Sequence, residues 1–102
     1  MFPDGIVCTL VYVYGINGSV TDADTGEPID GATLTLKDGF YQEQMQSSQN
    51  GGFAGAGERA GTYSLTAVAP GYQTKKIDDI VVTADQCHVH GVNVDVELEP
   101  VP

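Results

Sequence analysis

Apolar and polar side chains alternate along most of this chain. Ile16 and Val20 fall on one side of an extended backbone, and Asn17, Ser19 and Thr21 fall on the other. Further on, Ala32, Leu34 and Leu36 alternate with Thr33, Thr35 and Lys37. A period of two marks a strand buried on one face and wet on the other. Between these two strands, DADTGEPIDG over 22–31 supplies side chains that cap turns and glycines that accept positive φ.

The same pattern predicts the remaining elements. Residues 6–13 are β-rich, and Ile6, Cys8, Leu10, Tyr12 and Tyr14 form an even-numbered face that continues in phase into Ile16, so this face is expected to point inward. Asp38-Gly39 signals a hairpin, after which Tyr41 and Met45 share one face of a polar edge strand. The stretch SSQNGGFAGAGERAG over 47–61 breaks the alternation and reads as the longest and most mobile loop, with room for a short strand at Phe53-Ala54. Alternation returns at 62–68, where Tyr63, Leu65 and Ala67 face in. A short strand at 73–76 is interrupted by Asp78-Asp79 before a strand at 80–83, and the last strand runs over 87–98. Nothing repeats at the 3.6-residue spacing of a helix, so the chain reads as all-β, a sandwich of about seven strands.

The last strand contains a conflict of phase. Val92, Val94, Val96 and Leu98 are even, and carrying that parity backward buries His88 and His90 while turning Cys87 outward. A bulge or break at Gly91 restores Cys87 and Val89 to the core and leaves both histidines exposed.

Composition narrows the function. At 102 residues the chain is expected to form one domain over 1–102. Fourteen acids against four bases give a formal charge of −10, which repels nucleic acid and anionic lipid. No apolar run is long enough to span a bilayer as a helix. With no tryptophan, five tyrosines and three phenylalanines, an aromatic platform for stacking sugars is not expected. The opening MFPDG has neither a basic nor an apolar leader region, so the protein is either cytosolic or begins after a removed signal.

Beyond turn geometry, GSVTDADTGEPIDGATLTL over 18–36, GTYSLTA over 61–67, Ala69-Pro70-Gly71-Tyr72 and the closing VDVELEP over 94–100 resemble the carboxypeptidase regulatory-like domain family. The resemblance runs from about Gly15 to Pro100. It implies a seven-stranded, prealbumin-like β-sandwich, immunoglobulin-like in architecture and of Greek-key type. It also implies a non-catalytic, exported accessory or interaction domain, whether periplasmic, at the cell surface or extracellular, whose partner is another protein or a cell-surface component. No catalytic residue and no cofactor comes with it.

The residues outside that pattern carry the remaining expectations. Cys8 and Cys87 begin β segments that a sandwich brings together, so a disulfide is expected, in keeping with export. His88 and His90, with Asp85, form a weak alternative metal cluster, since i and i+2 on a strand share a face. Intradiol dioxygenases have a similar sandwich and a His-x-His pair, but their surrounding residues are not matched. The transthyretin-like hydrolases of urate breakdown end in Tyr-Arg-Gly-Ser, which this chain lacks. Asp22 and Asp24 hint at a calcium loop, but Gly26 and Thr33 stand where its next oxygen ligands belong. A third alternative is a sugar- or peptide-binding role for loop 47–61 through Asn50, Phe53, Glu58 and Arg59.

Overall fold

The computed structural model describes Cys8 and residues 10–102. Ile6 and Val7, placed in the first strand by the alternation, lie outside the described residues. The described elements are β1 (Tyr14–Asp22), β2 (Thr33–Asp38), β3 (Tyr41–Gln46), β4 (Gly52–Gly57), β5 (Gly61–Val68), β6 (Lys75–Val82) and β7 (Val92–Leu98). They form a three-stranded sheet in the order β4-β1-β7 and a four-stranded sheet in the order β3-β2-β5-β6. β1 and β7 are parallel, with Ile16 opposite Val92 and Asp22 opposite Leu98. The other strand pairs are antiparallel.

Alternation places the core where the pattern expects it. Ile16 and Val20 from β1, Leu34 and Leu36 from β2, Tyr63, Leu65 and Ala67 from β5, and Val96 and Leu98 from β7 are buried between the sheets. Burying apolar surface at about 25 cal/mol per Å² is the dominant favourable contribution to such a fold. Gly18 lies between Ile16 and Val20, where a Cβ would strike the Val94 carbonyl, so glycine lets β1 and β7 approach there. The β2–β3 loop is Gly39-Phe40, with Asp38 paired to Tyr41. Gly39 has a φ of 59°, which matches the primed turns that hairpin twist prefers.

Three expectations need correction. The inward face of the leading segment does not continue before Gly15: Leu10, Tyr12 and Tyr14 are exposed, and β1 begins only at Tyr14. The odd-numbered valines had made that phase ambiguous, and Val13 is the half-buried residue there. Residues 47–61 are not one long loop, because β4 occupies Gly52–Gly57 and pairs with β1 from Ser19↔Gly52 to Tyr14↔Gly57. Small residues are needed there: a Cβ at Gly55 would press into Met45 and Leu36. Finally, Asp78-Asp79 does not end a strand. β6 runs through it, with a register shift opposite Tyr63 and Leu65 and a φ of 60° at Asp79.

The break before β7 falls where the phase conflict requires it. β7 starts at Val92, Val89 is buried and bridged to Ala84, and His90 is exposed. His88, expected to be exposed, is half-buried, and Gly91 is not among the residues with positive φ. A Cβ at Gly91 would instead come within 3.1 Å of the Tyr14 carbonyl oxygen.

Candidate functional site

The densest polar constellation lies where the leading segment, the β4–β5 turn and the turn before β7 meet. Cys8 and Cys87 are joined by a disulfide there, with their Cα atoms 5.2 Å apart. Glu58, at a φ of 48°, turns its carboxylate into the junction. Its Oε2 accepts from the Val13 amide at 3.0 Å and from His88 Nδ1 at 2.7 Å, and its Oε1 accepts from the Val89 amide at 3.2 Å. Its own amide donates to the Val13 carbonyl. Since a carboxylate only accepts, His88 carries its proton on Nδ1. Partial burial pushes the Glu58 carboxyl up, but donation from His88, Val13 and Val89 outweighs this and holds it below its ordinary value.

Asp85 organises the adjoining turn. Its Oδ1 accepts from the amides of Cys87 and His88 at 2.8 and 2.9 Å. His90 Nε2 donates to Asp85 Oδ2 at 3.2 Å, and its Nδ1 lies 3.2 Å from the Thr83 hydroxyl. The two amides, with His90 behind them, lower the Asp85 carboxyl to about 2. A shallow cleft of about 450 Å³ opens beside Glu58, Asp85, Cys87 and His88.

The alternative metal cluster does not assemble. His88 and His90 lie outside β7, in a turn where the same-face rule for strands no longer applies, and they engage different carboxylates, Glu58 and Asp85. Among the described residues, no group of three or more His, Cys, Asp or Glu is placed to hold a metal ion. The Asp22 turn is likewise committed. Its Oδ1 caps the amides of Asp24 and Thr25, and its Oδ2 accepts from the Tyr72 hydroxyl at 2.7 Å. That hydroxyl, with the two amides, lowers the Asp22 carboxyl.

The proposed loop residues lie before, within and after β4 instead of meeting. Asn50 caps the turn before the strand, accepting from the Gly52 amide and the Ser48 hydroxyl. Phe53 is a core residue, 7% exposed. Glu58 serves the disulfide junction, and Arg59 donates to Asp38 and to the Tyr63 hydroxyl, each at 3.0 Å. The Arg59 guanidinium lies 3.9 Å from the Tyr41 ring centroid. The Tyr41 hydroxyl donates to Glu43 at 2.7 Å, which raises its own pKa to about 12. The Glu43 carboxylate also accepts from the Ala56 amide, tying β3 of one sheet to β4 of the other. This bridge joins residues of different strands, and alternation within a strand carries no signal for it.

A family model for the carboxypeptidase regulatory-like domain matches residues 15–99. The chain belongs to that family. Matched residues begin at the second position of β1 and end one residue past β7, so they span the whole sandwich; the disulfide's Cys8 lies before them. No curated protein matches the chain in sequence. Among solved structures, the 5-hydroxyisourate hydrolase of Klebsiella pneumoniae aligns with a TM-score of 0.64 and 20% identity, covering 88% of this chain and 93% of that one. The 3-chlorocatechol 1,2-dioxygenase of Rhodococcus opacus aligns at 0.65 and 11% identity, covering 84% and 59%. A candidate carbohydrate-binding protein of Bacteroides uniformis aligns at 0.61 and 17% identity, covering 83% and 40%. The chain thus spans about half the length of these last two proteins. All three share the fold of this regulatory-like domain, and at these identities the likeness extends to the fold alone.

Proposed function

We propose that this regulatory-like domain is a non-catalytic, exported accessory or interaction module, contributing structure or protein contacts. The observation that carries this reading is the use made of its reactive-looking groups. Glu58, His88 and Asp85 are spent on backbone amides and on one another around the Cys8–Cys87 disulfide. A general base must reach the proton it removes, and these carboxylates face turn amides of their own chain. Export is supported by the same disulfide, because such bonds persist in oxidising compartments. The reading of 47–61 as a sugar- or peptide-binding loop is set aside, since Phe53 is packed inside and Arg59 is paired.

Metal analysis of the purified protein, alone and as the His88→Ala/His90→Ala variant, tests the non-catalytic reading. The expected result is no stoichiometric iron, copper or zinc in either, with the double variant less stable than the parent. Tightly held metal in the parent that disappears from the variant would replace this reading with a metal-dependent one.

A further inference from the structure

We propose that the outer edge of β7 accepts a β-strand from a basic polypeptide, an extended segment with lysine or arginine at alternate positions. The inference deepens the interaction-module reading and rests on it. Among the described residues, β7 ends its sheet, with only β1 beside it. The Leu98 carbonyl accepts from the Ala23 amide, which continues β1, so the even residues of β7 turn their backbone polar groups toward β1. Asn93, Asp95 and Glu97 therefore present their N–H and C=O groups to the open side. Among the described residues no hydrogen bond reaches those groups. The open stretch is bounded by the break at Gly91 and by the Gln73 amide, which donates to the Glu99 carbonyl at 2.8 Å.

The other edges differ. On β4, the groups of Gly52 and Ala56 that turn away from β1 are taken up locally, which leaves Ala54 alone between them. Asn50 and the Ser48 amide engage Gly52, while Glu43 and the Arg59 amide engage Ala56. β6 is kinked at Asp79 and begins with the exposed pair Lys75-Lys76, devices that blunt an edge. β3 is open but bears the uncharged Gln42, Gln44 and Gln46 on its exposed face.

Charge selects the occupant of β7. The side chains of Asp95 and Glu97 stand on the exposed face, with Glu99 beyond them. An incoming strand would place its own side chains about 5 Å from them, where opposite charges attract and like charges repel. A second copy pairing there would set carboxylate against carboxylate, and the whole chain at −10 would oppose its approach. A basic segment meets attraction at long range and in register.

The test uses the full, disulfide-intact chain labelled for amide spectra and titrated with an alternating lysine–valine peptide and its glutamate–valine counterpart. The expected result is saturable shifts centred on Asn93, Asp95 and Glu97 with the basic peptide alone. Asp95→Pro removes an outward N–H without touching the ladder to β1, and it should weaken binding about tenfold or more. The charge-reversed Asp95→Lys/Glu97→Lys variant should do the same and serves if the proline variant fails to fold. Shifts centred on β3 or elsewhere would overturn the β7 assignment while leaving the interaction-module reading standing. No shifts at β7, or unchanged binding by both variants, would also overturn it. Tightly held metal in the earlier test, lost from the double-histidine variant, would instead remove the reading beneath it.

Discussion

Glu58 and Asp85 show how much can depend on carboxylates that join no sheet. Asp85 holds two backbone amides of the turn that carries Cys87, Glu58 holds the Val89 amide there and the Val13 amide of the leading segment, and each has its pKa lowered. A depressed carboxyl adds stability above its unfolded value and loses it as pH falls through its folded value. For Asp85 that window runs from its ordinary 3.8 down to about 2. We therefore expect unfolding free energy to decline between about pH 4 and pH 2. In Asp85→Asn, stability at neutral pH should be lower and the acid decline shallower, as chemical denaturation across that range would show. An equal acid slope in parent and variant would assign the decline to other carboxylates. The sequence marked Asp85 as a turn residue and as an alternative metal ligand. Its role as a cap was legible in the spacing to Cys87 and His88, since Asx turns bond amides two and three residues on.

At the level of strands, alternation read the core residues of β1, β2 and β5 correctly, because one face is buried and the other wet. It failed at β4 for a physical reason. GFAGAG contains too few side chains to register a period, and its place in the sheet depends on the small size of its residues against Met45 and Leu36. It failed again before Gly15, where Val11 and Val13 made both faces apolar. β4 should accordingly resist exchange in a set pattern. The amides of Phe53 and Gly55, which face β1, are expected to exchange far more slowly than those of Ser48 and Asn50 in the preceding turn. Hydrogen-exchange mass spectrometry or amide spectra would measure this, and uniform fast exchange over 47–61 would restore the mobile-loop view.

Over the whole molecule, the disulfide joins positions 79 residues apart. On the chain-entropy model a loop of that size stabilises the fold by about 4 kcal/mol, and loss of a native disulfide typically costs about 2–5 kcal/mol. The Cys8→Ala/Cys87→Ala variant should therefore lose stability in that range, measured by denaturant titration against the oxidised parent. A difference below about 1 kcal/mol would show that the junction around Glu58 holds the leading segment without the covalent bond.

The same bond has a mechanical consequence. β1 and β7 run parallel, so the chain enters this sandwich at the Cys8 end and leaves past Leu98 at the opposite end. Tension applied between those two points does not travel through the strands in sequence. It crosses from Cys8 directly to Cys87 and continues along the backbone of β7, which is already extended. The residues enclosed by the disulfide, β1 to β6 among them, stay outside the load path. Oxidised, the domain is a short, stiff link; reduced, it becomes one that can pay out most of its length.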